Sequence, residues 1–184
     1  MAQRAGIPGV PADFGIGEQG EGISMKEYIK NRVHELYWND NINCARTAII
    51  CLSELFETAI EQQIIWSAVG LHGAGGYRAQ CGLVEGILMF IGIYLHKMGK
   101  TENEIVSACY NFASAFEKTF GSLRCFELRP TGFSESDPPH MCENLTGKGI
   151  EFAYQYILEV TKKYPRYATA EQGRAGIPGV PADW

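Results

Sequence analysis

The chain has 184 residues, 46% of them hydrophobic and 20% charged, and a formal net charge of −5. That length suits one domain with a sizeable core, and the composition is that of an ordinary globular protein. The acidic balance and the lack of any Lys/Arg run exclude nucleic acid as an expected partner, because phosphate binding needs clustered positive charge.

The first residues, Met1 to Pro8, carry no apolar leader segment, so a cytoplasmic location is expected. Arg4-Ala5-Gly6-Ile7-Pro8-Gly9-Val10-Pro11-Ala12-Asp13 returns unchanged as Arg174 to Asp183. An aromatic follows each copy, Phe14 and Trp184. Proline and glycine forbid helix here and favour extended, polyproline-like chain. The chain therefore divides into an arm (1–22), a helical domain (23–165) and a second arm (166–184).

Ser24-Met25-Lys26-Glu27 reads as a capping box, opening a helix that ends near Trp38. Asn41 or Asn43 caps the next helix, from Cys44 to about Ile60, with Cys44, Ile49 or Cys51, Leu52 and Leu55 as its buried stripe. A short helix from Glu61 to Val69 leads into a glycine loop. A long helix follows from about Ala79 to Met98, where Gly82, Gly86 and Gly92 let another backbone approach. Its apolar run, Ile87 to Leu95, is about half the roughly 20 residues a membrane span needs, so a buried helix is expected and no membrane segment. Thr101-Glu102-Asn103-Glu104 is a second capping box; Ile105, Ala108, Phe112 and Phe116 form the apolar face behind it, and Gly121 is a natural stop. Ser122 to Leu128 reads as a link or helical turn, Pro130 to Pro139 as a loop, and His140 to about Lys163 as the last helix. No alternating strand pattern competes. The expected fold is an all-α bundle of about five helices with extended arms.

Six cysteines stand at 44, 51, 81, 109, 125 and 142. Without a leader, structural disulfides are not expected. Cys81 ends the stretch His72-Gly73-Ala74-Gly75-Gly76-Tyr77-Arg78-Ala79-Gln80 and opens a helix. There the unpaired N–H groups and the macrodipole favour its thiolate. Cys44, Cys125 and Cys142 also lie where flexible segments meet helices, which points to one shared redox or metal site.

In these cysteines the chain resembles the C-GCAxxG-C-C family of redox-active proteins, whose related domain occurs in split-Soret cytochromes. Asn43-Cys44-Ala45 matches the first family cysteine. Gln80-Cys81-Gly82-Leu83-Val84-Glu85-Gly86 matches the central motif, with Gln80 in place of its leading glycine and Gly82 in place of its alanine. Cys125, after Gly121, matches the third cysteine and Cys142 the fourth. The resemblance covers about residues 40–160. It implies a helical, dimeric fold with redox function and, from the split-Soret relatives, an iron–sulfur cluster. No Cys-x-x-Cys-His occurs, so no haem is expected.

Chemistry allows three uses of Cys44, Cys81, Cys125 and Cys142. They can ligate a 2Fe–2S cluster, act as two reversible dithiols, or hold zinc, whose structural sites prefer close cysteine pairs absent here. The order of preference is cluster, dithiol, zinc. The plain alternative is that free cysteines serve as small buried hydrophobes, and Cys51 and Cys109 are read that way. His72 and His140 are candidates to donate to a thiolate or join the ligand set, against an equal case for solvated or capping roles; His34 and His96 read as surface residues. Arg78 and Arg124 are candidates to stabilise thiolate charge, with ordinary surface arginines as the default. Gly73-Ala74-Gly75-Gly76 lacks the phosphate-loop Gly-Lys-Ser/Thr and a preceding strand, so no nucleotide is expected. Glu85 could act as a base, a role a cluster protein does not need.

The expected function is a redox accessory protein that carries a 2Fe–2S cluster for electron transfer. Its duplicated arms dock it into an assembly through Ile7, Pro8, Val10, Pro11 and Phe14, and through Ile177, Pro178, Val180, Pro181 and Trp184. A homo-oligomer and a protein redox or assembly partner are expected. The alternatives are a thiol–disulfide oxidoreductase with Cys81 as nucleophile, and a structural or cargo-like assembly protein. For the arms alone, the plain alternative is an appended flanking sequence.

Overall fold

The computed structural model describes residues 23–129, 131, 133, 134 and 136–163. Both arms, with the ten docking residues expected in them, lie outside the described residues.

Helix α1, Met25–Trp38, starts where the Ser24 hydroxyl accepts the Glu27 amide. Its Ile29, Val33, Leu36 and Tyr37 form one buried stripe at helical spacing. Helix α2, Cys44–Leu55, is capped by Asn43 and stops short of the expected Ile60. Glu57 turns left-handed at φ 47°, and the Thr58 amide closes back on the Ser53 carbonyl at 2.8 Å, which ends the helix. Helix α3, Gln62–Ser67, runs into a 3-10 turn at Ala68–Leu71. Helix α4, Gly82–Lys97, begins three residues later than about Ala79, because Arg78 to Cys81 pair backbone to backbone with the segment around Arg124.

Helix α5, Glu102–Phe120, has the reciprocal capping box of Thr101 and Glu104 and ends at Gly121, φ 92°. Helix α6, Cys125–Leu128, is a single turn. Helix α7, Glu143–Lys163, starts after His140, whose φ of 61° is incompatible with the earlier start expected. The long helices α1, α2, α4, α5 and α7 are the five of the expected bundle. Among the described residues there is no strand, only the isolated bridge between Gln80 and Arg124. No helix of the described residues is long and apolar enough to cross a membrane.

Helices α2 and α4 form the most extensive pair. Gly86 makes this possible: a Cβ there would stand 2.3 Å from the Ala45 carbonyl oxygen. Gly92 has no such role, since a Cβ there would meet nothing within 4 Å. Aromatic rings tie the other layers together, Phe112 and Phe120 on Phe152 between α5 and α7, and Phe56 on Tyr94 and Tyr154. A largely buried ion pair, Arg32 to Glu54 at 2.8 Å, links α1 to α2, and the Tyr28 hydroxyl also donates to Glu54.

Candidate thiol site

Each of the four motif cysteines stands at the start of a helix. Cys44 is the first residue of α2. Before it, Asn43 accepts the Arg46 amide at 2.9 Å and donates to the carbonyls of Val69, at 2.8 Å, and Ala68, at 3.2 Å. The cap thus also fixes the 3-10 turn against the start of α2. Cys81 is the N-cap of α4. Cys125 opens α6, and Cys142 immediately precedes α7, its carbonyl accepting the Thr146 amide at 2.8 Å.

Glycines make room for the sulfurs. A Cβ on Gly82 would lie 2.6 Å from the Leu71 oxygen and 3.0 Å from Cys44 Sγ. The departure from alanine at this motif position is therefore what lets Leu71 and Cys44 close over the helix start. Gly73, at φ 62°, lies against Cys125 in the same way, 3.0 Å from Sγ to an added Cβ. Gln80, the other departure, sends its side-chain amide to Glu85 at 3.1 Å, which gives Glu85 a structural partner.

The four thiols form one group. Cys44 lies within electrostatic reach of Cys81, Cys142 and Cys125. Cys81 reaches Cys125 and Cys142, and Cys142 reaches Cys125. All six pairs are accounted for, so the charge of any one thiolate opposes the ionisation of the others. Even so, among the described residues no three His, Cys, Asp or Glu side chains converge as a ready-made single-ion site.

The thiolate expected at Cys81 is not what the surroundings favour. Burial pushes this thiol up to about 11; the Val84 and Leu83 amides pull the other way without making a full side-chain cap, and Cys125 and Cys142 add to the rise. Helix-end attraction is worth about 1 kcal/mol, and desolvation of a buried charge outweighs it. Cys44 is pushed up to about 12 by burial and then by Cys81. Cys142 is raised by burial and by Cys125. Cys125 is raised by burial, but Arg129 and Arg78 oppose the rise.

Cys51 and Cys109 stay outside the group. Cys51 is fully buried beside Glu54 and Arg32, and Cys109 faces the Leu88 carbonyl from α5. His72 turns Nδ1 toward the Val69 carbonyl at 3.0 Å, a local contact of the loop. His140 stacks on Tyr37, 5.4 Å between ring centres, with its edge to Trp38. His34 pairs with Glu143 at 2.8 Å on the surface. Arg78 acts on Cys125, whereas Arg124 pairs with Glu127 at 3.4 Å.

Two residues near the thiols carry no sequence signal of their own. Arg129 follows Cys125 by one helical turn, acts on both Cys125 and Cys142, and shares the Phe133 ring with Arg78, at 4.4 and 4.3 Å. Its spacing from Cys125 is the only hint the sequence offers. Tyr37 is buried within reach of Cys44, Cys142 and Cys81 and bonds Thr146 at 2.7 Å. It comes from α1, which holds no cysteine, and only the fold brings it there.

Comparison with curated proteins and with solved structures finds no match. Residues 42–156 match the model of a family described as "Putative redox-active protein (C_GCAxxG_C_C)", a span that contains all four helix-start cysteines. On that match over more than half its length, the chain belongs to the C_GCAxxG_C_C family.

Proposed function

We propose that this protein is an electron-transfer accessory that holds an iron–sulfur cluster, of 2Fe–2S type, through Cys44, Cys81, Cys125 and Cys142. The observation that carries the reading is that these four thiols, each at a separate helix start, lie within electrostatic reach of one another. The donor set fits the group: four cysteines are the usual ligands of such clusters. The surroundings fit it too. Four thiolates in a buried site repel one another, and a bound cationic centre removes that penalty by taking their protons' place. When bound, such a cluster gains or loses one electron. The chain's part is to supply thiolates, to keep water off them, and to set Arg129 and Arg78 near the negative charge.

The dithiol alternative keeps one supporting observation. Cys125 is only half-buried and has two cations beside it, so the attacking thiol in that chemistry would be Cys125 rather than the buried Cys81. All six cysteines are free, which suits a reducing cytoplasm as the proposed location. The identical arms extend the proposal to docking: two copies of one Pro-rich motif suit bivalent attachment to an assembly of like subunits. Deleting both arms and comparing size-exclusion profiles tests that part.

The cluster reading is tested by anaerobic purification with iron, acid-labile sulfide and visible-spectrum measurements. Stoichiometric iron and sulfide that disappear in Cys81→Ser are expected. A colourless, iron-free protein with titratable thiols would overturn it in favour of dithiol chemistry.

A further inference from the structure

A cleft of about 430 Å³ runs between α1 and the start of α7. Its floor is apolar, formed by Ile29, Val33 and Gly147; its rim carries Lys26, Lys30 and Lys148 together with two carboxylates already engaged, Glu143 by His34 and Trp38 and Glu151 by Lys26. Lys26 pairs with Glu151 at 3.6 Å; Lys30 and Lys148 have no ion pair among the described residues. An added Cβ at Gly147 would meet nothing within 4 Å, so the cleft is open at its centre. An apolar floor between two unpaired cations suits an extended apolar segment that carries acids.

We propose that the N-terminal motif folds back into this cleft, with Ile7 and Val10 on the apolar floor and the arm's carboxylates against the lysines. Three features of the chain favour this occupant. The described chain begins at the cleft's own rim, since Lys26 lies in the first turn of α1. The segment between motif and helix, Gly15-Ile16-Gly17-Glu18-Gln19-Gly20-Glu21-Gly22, has four glycines that permit a reversal. Stretched, it reaches up to roughly 26 Å, more than the roughly 10 Å of α1 between Lys26 and Val33. Asp13, Glu18 and Glu21 supply the complementary charge. The C-terminal copy is less well placed. Helix α7 leaves the cleft at Glu151 and carries the chain about 18 Å further before it ends at Lys163.

The inference is independent of the cysteine chemistry. It rests on the docking reading of the arms and names the acceptor for one copy, which leaves the other copy free for a partner. A second copy's arm and the C-terminal motif are the competing occupants.

Full-length protein at low concentration is treated with a carbodiimide, which joins a lysine to a touching carboxylate, and the links are mapped by mass spectrometry. Links from Asp13 to Lys30 or Lys148 are expected, within one chain when isotopically heavy and light proteins are mixed. They are expected to vanish in Gly147→Trp, which fills the cleft, and in the double variant Ile7→Asp, Val10→Asp. The arm variant leaves every helix untouched and decides the matter if Gly147→Trp fails to fold. The proposal is overturned if Asp13 links to neither lysine, if the links survive both variants, if they join heavy to light chains, or if Asp183 forms them instead. The size-exclusion profile after arm deletion reports separately on whether the arms serve an assembly at all.

Discussion

Cys81 and Cys125 are joined through their backbones. The Cys81 amide donates to the Leu123 carbonyl at 2.9 Å, and the Cys125 amide donates to the Ala79 carbonyl at 2.7 Å. The short antiparallel clip around Gln80 and Arg124 thus fixes the position of two thiols before any side chain is considered. Gly73 lies against one of them, its added Cβ 3.0 Å from Cys125 Sγ.

Gly73→Ala is expected to lower stability by about 1–3 kcal/mol, because the position is left-handed. It is also expected to lower iron content, because the new methyl carbon would stand 3.0 Å from Cys125 Sγ. Gly76→Ala is the control. It is left-handed too, at φ 86°, but a Cβ there meets nothing within 4 Å. Urea midpoints should fall in both variants, and bound iron only in the first. Equal iron loss in both would contradict the local account.

Gly86→Ala should destabilise by at least the 1–3 kcal/mol typical of overpacking, since its methyl group would overlap the Ala45 backbone. Gly92→Ala on the same helix should stabilise by about 0.5–1 kcal/mol through helix propensity alone. Thermal melts of the two variants would move in opposite directions. A Gly86 variant as stable as the parent would mean that α2 and α4 do not approach as described.

These glycines show what was legible in the sequence and what was not. The helix starts at Ser24, Asn43 and Thr101 were readable because capping is written in local residue types. That Cys44, Cys81, Cys125 and Cys142 stand at helix starts is readable for the same reason. The late start of α4 was hidden, because the clip that delays it pairs segments some forty residues apart. Gly86 and Gly92 look alike in sequence; only packing tells them apart. The acidity of Cys81 departs from the helix-start expectation for a related reason. A helix start is visible in the sequence, but the burial that overrides it is not.

The metal-free chain should lose stability as pH rises. Burial holds Cys81 at about 11 and Cys44 at about 12, against about 8.5 for an unfolded thiol. A thiol raised in the folded state stabilises fully below the unfolded value and loses that contribution as pH climbs through the folded one. Urea midpoints measured under reductant and chelator should stay level to about pH 8 and then fall toward pH 11. The fall should be shallower in the double variant Cys44→Ala, Cys81→Ala; an equally steep fall would assign the effect to other groups.

Tyr37→Phe removes the partner of a fully buried hydroxyl, Thr146. A cost of about 1–3 kcal/mol is expected. Adding Thr146→Val should recover part of it, because the stranded hydroxyl is then gone. A double-mutant cycle on urea midpoints measures the coupling between the two. Strictly additive effects would show that the pair makes no real bond.

The four thiols come from parts of the chain as far apart as Cys44 and Cys142, yet they lie within electrostatic reach of one another. A group bound to all four would therefore act as a knot, closing three consecutive loops at once. Loop closure removes freedom mainly from the unfolded chain, and more for longer loops. A chain that keeps the group cannot fully unravel, and a chain that unravels must first let it go. In a chain that held such a group, global unfolding would wait on its release, a delay that the metal-free chain would not have.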